Sequence, residues 1–309
     1  MNLSGLLEMQ GMLIALTILG AILTKIGIIK AEGKRLLTDL VIFVTLPAAI
    51  IESFMIELSM QILYNSIAII GVSFGLQIGC VILAKLVFSK YKLKRRKVLQ
   101  YATVCANSGI MGNPIAESAF GGIGLLLASM YLIPQRIFMW SVGLSYFTNT
   151  NRKRDVIKKV ATHPCIIAII FGIFMAAIKL KLPGFLNETI ISVANANTAV
   201  SMLLIGSILV SIPLYTIVNF STLFFSFIRL IIIPALTLAF CLLLRVETTV
   251  AGVSVLLSAM PAASTTAVLA NKYKMDEIFA TKIVVLSTIL SVLTAPVWCY
   301  IIQLLYKIG

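Results

Sequence analysis

Two polar stretches interrupt the most apolar parts of this chain. NSGIMGNP, Asn107 to Pro114, places two asparagines, two glycines, a serine and a proline within eight residues. SAMPAASTTAVLANKY, Ser258 to Tyr273, carries Pro261 followed by Ser264, Thr265 and Thr266. Side-chain amides and hydroxyls of this kind suit binding, since bond-breaking would call for clustered His, Asp, Glu or Cys. Asn113 has the character of a helix N-cap, and Pro114 suits the first helical position, where its missing N–H would otherwise be an orphan. The spacing predicts two half-helices meeting near residues 111–114, with the positive end of the second one's dipole facing the apolar interior. A second half-helix is expected to start near Pro261. Where two such ends converge with amides and hydroxyls, the chemistry favours an anion with an apolar body. The candidate substrate-binding residues are Asn107, Gly109, Gly112, Asn113, Pro114, Met260, Pro261, Ala262, Ser264 and Thr265.

Arg136 and Arg229 are the two arginines well inside apolar runs, where a charge is expensive and marks a functional site by default. Both are candidate counter-ions for an anion; the competing reading is an arginine that snorkels or bonds carbonyls at a helix interface. His163, the single histidine, precedes Pro164 at the end of an apolar run and reads as interfacial. Asn195 to Thr198 (NANT) reads as helix-to-helix hydrogen bonding, with lining of a pathway as the alternative. The five cysteines all fall in apolar runs without metal-ligand spacing, so they read as small buried residues, and neither a metal nor another cofactor is expected. No buried His/Asp/Glu/Cys constellation points to an enzyme, and no Walker motif points to an ATP-driven pump.

The elements that must position these residues follow from composition. Of 309 residues 60% are hydrophobic and 12% charged, and the mean hydropathy is +1.06. Apolar runs of bilayer length recur throughout, which predicts an all-α polytopic membrane protein in contact with the lipid bilayer. Ten transmembrane helices are expected, near residues 6–29, 36–55, 62–88, 98–116, 122–147, 160–182, 190–210, 218–244, 249–270 and 278–305. The first has no basic residue before it and is long for a signal peptide, so it counts as a helix of the mature protein. The net charge of +14 does not indicate nucleic acid, because the basic residues cluster in short connections. Nineteen lysines and arginines follow the odd-numbered runs, among them Lys90 to Lys97, whereas Lys179, Lys181, Arg245 and Lys307 follow the even ones. The positive-inside rule then places both termini on the extracytoplasmic side of the cell membrane. Ten spans divide into two five-helix repeats, inverted because each holds an odd number. Interrupted helices four and nine stand at corresponding positions, the pattern of a transporter's binding site.

NSGIMGNP resembles the fourth-helix motif of the auxin efflux carrier family, bacterial relatives of the plant PIN-FORMED auxin exporters. LLSAMPAASTTAVLANKYKMD, Leu256 to Asp276, resembles that family's ninth helix, and VTLPAAIIESF, Val44 to Phe54, its second. The resemblance implies a fold shared with bile acid:sodium symporters, with crossed broken helices four and nine. It implies a scaffold of residues 1–60 and 151–212, dimeric through its helices, and a moving transport domain of residues 61–150 and 213–309. It also implies an elevator-type transporter of organic anions, auxin-like aromatic carboxylates or small mono- and dicarboxylates such as malonate or malate. Only a short basic connection stands where the plant exporters carry long regulatory loops. All eleven acidic residues lie in connections or near span ends, with Glu52 and Glu117 the nearest to the interior. Uniport or exchange is therefore favoured over a sodium- or proton-coupled symporter of the same fold; a channel or sensor is the remaining alternative.

Overall fold

Punctuation by proline, glycine and polar caps divides the chain into helices in the computed structural model, which describes residues 3–55, 59–147, 161–178, 180, 182–210, 217–263 and 265–306. Ser264, Lys179, Lys181 and the basic connection 152–159 lie outside the described residues. The helices are α1 (Leu3–Lys25), α2 (Ala31–Ser53), α3 (Met60–Val87), α4 (Leu93–Val104), α5 (108–120), α6 (122–143), α7 (Pro164–Ala177), α8 (Gly184–Leu209), α9 (Phe220–Leu243), α10 (Thr248–Ser258), α11 (Thr265–Lys272) and α12 (Glu277–Tyr306). No strand occurs among the described residues. Six stretches are long and apolar enough to cross a membrane, and Gly11–Lys25, Pro164–Ala177 and Thr248–Ser258 are shorter apolar helices. One of the six, Ser108–Gly143, would be a rod of about 54 Å if straight, well beyond a bilayer's apolar thickness. It is not straight. Gly121 takes φ 66°, ψ −158°, and the face of Gly124 lies against the Ala116 carbonyl, so the chain folds back on itself between α5 and α6. Only glycine adopts that backbone without strain.

The ends of the helices are closed by local chemistry. Gly27, at φ 83°, terminates α1 with the Ile28 N–H donating to Leu23 and the Gly27 N–H to Thr24, a Schellman cap. Ser59 caps α3, the Asn219–Thr222 capping box opens α9, and Glu247 accepts two N–H groups at the start of α10.

Three prolines inside helices share one solution. Pro47, Pro114 and Pro234 each follow a five-residue π-helical stretch, Val41–Thr45, Ser108–Gly112 and Ile228–Ile232. A proline lacks its N–H and clashes with the carbonyl four residues back; widening the helix by one residue relieves both faults. For Pro234 the released carbonyl is Leu230, and the Trp298 indole N–H donates to it at 2.8 Å. This corrects the expected cap at Asn113. Asn113 has helical φ/ψ (−60°, −50°) and its side chain caps nothing. The chain breaks earlier, at residues 105–107.

Two sets of helices pack against each other. In the first, α1 lies along α8 with Gly20 against Leu203 and Gly206 against the Thr17 carbonyl, and α2 packs on both α7 and α8. The Phe54 ring covers Gly172, and Thr45 donates to Asn197 Oδ1 at 3.1 Å. In the second, α3 packs on α6, with Ser73 donating to the Tyr131 carbonyl, and α10 is enclosed by α3, α5, α6, α9 and α12. Every residue of α10 from Val250 to Ser258 is buried, so this short helix meets no lipid. The outward faces of the longer helices carry Ile67, Phe74, Ile78, Ile82, Leu236 and Phe240, an apolar surface suited to acyl chains and not to water.

Candidate binding site at the crossed breaks

The two interruptions meet. Residues 105–107, between α4 and α5, run antiparallel to residues 261–263, between α10 and α11, with Ala106 paired to Ala262. The Asn107 N–H donates to the Pro261 carbonyl at 2.8 Å, and the Ala263 N–H to the Cys105 carbonyl at 3.0 Å. These bonds explain why the chain can break in an apolar medium: each break satisfies part of the other. Side chains take up the rest. Gln135 Nε2 donates to the Ala106 carbonyl at 2.9 Å, the Ala262 N–H donates to Ser287 Oγ at 3.2 Å, and Ser108 Oγ donates to the Leu257 carbonyl at 2.8 Å. Tyr101 and Thr265 share a hydroxyl–hydroxyl bond of 3.1 Å that ties α4 to α11.

The site residues expected from sequence divide by burial. Gly109, Gly112, Asn113, Pro114, Met260, Pro261 and Ala262 are buried, while Asn107 and Thr265 are half-buried. Gly112 serves packing, since a Cβ there would stand 3.1 Å from Met260 Cγ and 3.2 Å from Leu257 Cγ. Asn113 is fully buried with both amide atoms lacking a hydrogen-bond partner among the described residues. The half-buried Asn107 amide has no hydrogen-bond partner among the described residues.

The two interior arginines, alike in sequence, have opposite fates. Arg229 is buried and donates to three backbone carbonyls: Nε to Met260 at 2.9 Å, Nη1 to Thr103 at 3.1 Å and Nη2 to Ser258 at 3.1 Å. It is a carbonyl-bonded arginine, so the expectation of a free counter-ion fails for it. Arg136 is half-buried on α6, and Nη2 stands 2.8 Å from where a Cβ of Gly109 would be. Its Nε is buried without a partner, and its one hydrogen-bond contact among the described residues is Nη1 to Met139 Sδ at 3.8 Å, too weak to hold a charge. No acceptor among the described residues takes the N–H groups of Ser108, Gly109 and Ile110 at the start of α5, so a guanidinium without an ionic partner among those residues lies beside the positive end of a helix. Such an arrangement attracts a carboxylate.

Gln135, Tyr101 and Ser287 brace the site and escaped the sequence reading. The polar pair Gln135-Arg136 directly after Pro134 was a usable signal; nothing around Ser287 distinguishes it from an ordinary packing serine. His163 lies at the start of α7, where its Nδ1 accepts the Cys165 N–H at 3.3 Å.

The chain matches a family described as membrane transport protein over residues 11–299. It is 25% identical over 286 residues to an uncharacterized transporter of Methanocaldococcus jannaschii, covering 89% of this chain and 92% of the relative. An uncharacterized transporter of Methanothermobacter thermautotrophicus is 28% identical over 295 residues, 94% of this chain and 96% of the relative. The uncharacterized transporter YfdV of Escherichia coli K12 is 23% identical over 290 residues, 88% and 90% of the two chains. The matches run through both breaks and bear out the resemblance read from residues 107–114 and 256–276.

Proposed function

We propose, from the premise that the chain belongs to the membrane transport protein family, that it is a secondary transporter of organic anions with its substrate at the crossed breaks. The observation that carries this reading is the Arg136 guanidinium, without an ionic partner among the described residues, beside the start of α5 and the half-buried Asn107 amide. A carboxylate would take the guanidinium and the free N–H groups, and an aromatic or short aliphatic body would rest on Ile110 and the neighbouring apolar walls. Auxin-like aromatic carboxylates and small mono- or dicarboxylates such as malonate and malate fit that description.

Ten spans in two inverted five-helix repeats, with both termini extracytoplasmic, complete the proposal. The packing of α1, α2, α7 and α8 as one set, and of α3 to α6 with α9 to α12 as another, supports a scaffold and a moving domain. An elevator displacement would then carry the crossover past the scaffold, which would also be the dimer interface. Purified protein tested by thermal shift against carboxylates of graded size should be stabilised by a subset of them, because a ligand that binds the native state raises its apparent stability. Matched alcohols and amines should do nothing. Equal response to the neutral analogues, or none to any carboxylate together with no counterflow in liposomes, would overturn the anion reading.

A further inference from the structure

Arg229 holds an excess positive charge in the interior without any carboxylate bonded to it among the described residues. What faces it instead is backbone, together with the neutral Cys80 thiol. Thr103 is next to last in α4, Ser258 is the last residue of α10, and Met260 lies in the break just beyond. Three carbonyls at 2.9–3.1 Å therefore converge from the C-terminal ends of both half-helices. Each helix C-terminus carries about half a negative elementary charge, so the two together amount to about one, the charge of one guanidinium. In transporters built on discontinuous helices, such carbonyls and half-helix C-termini are where coupling cations bind.

We infer that the Arg229 guanidinium is a tethered cation that fills the place of a dissociable coupling ion in the crossover. An arginine stays protonated throughout the physiological range, and its fixed fork matches divergent acceptors better than a point charge. The π-helical turn Ile228–Ile232, stabilised by the Trp298 bond to Leu230, sets the register that points the side chain at the crossover. A cation built into the chain does not leave between cycles. The negative helix ends are neutralised in every state, the crossover is held together without sodium, and the positive ends remain available for an anion. Arg229 is thus a positioning residue, and the transporter has no need of a sodium ion at this place. The coupling consequence rests on the transport reading, but the residue-level claim does not.

The test uses the full chain purified in detergent, without any carboxylate substrate, so its failure is separate from failure of the anion reading. Wild-type protein should unfold at the same temperature in sodium, potassium and choline chloride at equal ionic strength. Arg229→Ala should unfold several degrees lower, and low-millimolar guanidinium, far below denaturing levels, should restore at least half of the loss; choline at the same concentration should restore none. Arg229→Lys should fall between wild type and Arg229→Met, which keeps bulk and loses charge. A sodium-specific rise in the wild-type midpoint, an Arg229→Met protein as stable as wild type, or guanidinium acting no better than choline would each overturn the inference. Should Arg229→Ala fail to fold, the wild-type cation series and the Lys-against-Met comparison still decide.

Discussion

Replacing Gly109 by alanine separates the binding site from the fold. The added methyl would stand 2.8 Å from Arg136 Nη2, 3.9 Å from Cζ and 3.9 Å from Leu132 Cδ1. The one severe clash is with the far end of a flexible side chain, so the guanidinium retreats by several tenths of an ångström and the backbone stays. Stability should change little: alanine is a better helix former than glycine by up to about 1 kcal/mol, which offsets the crowding. Affinity should not be spared. A hydrogen bond to a charged group contributes about 1.5–3 kcal/mol, and displacement of the donor from the start of α5 loses roughly half of that. Since about 1.4 kcal/mol is tenfold in Kd, carboxylate binding should weaken by roughly 3- to 10-fold. Arg136→Gln, which removes the charge altogether, should weaken it by roughly 10- to 100-fold. Titration calorimetry on purified Gly109→Ala, with thermal unfolding run alongside, measures both quantities. Unchanged affinity in a protein whose guanidinium has been displaced would refute the assignment of Arg136 as the counter-ion, and a large fall in stability would refute the geometry.

Gly206→Ala should be far more damaging than Gly11→Ala, because the first methyl meets the Thr17 backbone and the second meets open space; a loss of about 1–3 kcal/mol, the range for overpacking, should appear in thermal unfolding for the first alone. Asn113→Leu should unfold no lower than wild type, because both amide atoms are buried without partners among the described residues and an apolar residue of similar size removes that penalty of about 1–3 kcal/mol. A marked drop in its unfolding temperature would mean that the amide has a bonded partner in the working protein.

Membrane insertion, all-helical structure and the neighbourhood of the breaks were legible in the sequence, because hydropathy and turn chemistry are local properties of short segments. Apolar runs must become helices in lipid, since nothing else there satisfies their backbone. Where the chain breaks was not local. Asn113-Pro114 has the composition of a helix start, yet a π-helical turn absorbs the proline, and the break moves to residues 105–107. It lies there because the partners for its N–H and C=O groups come from residues 261–263, about half the chain away. The two interior arginines make the same point. Each is one arginine in an apolar run, and no pattern around either distinguishes structural from free. Tertiary structure decides by bringing the carbonyls of Thr103, Ser258 and Met260 to Arg229 and leaving Arg136, among the described residues, with a thioether. A buried charge takes its role from which dipoles surround it, and those dipoles belong to elements that only folding brings together.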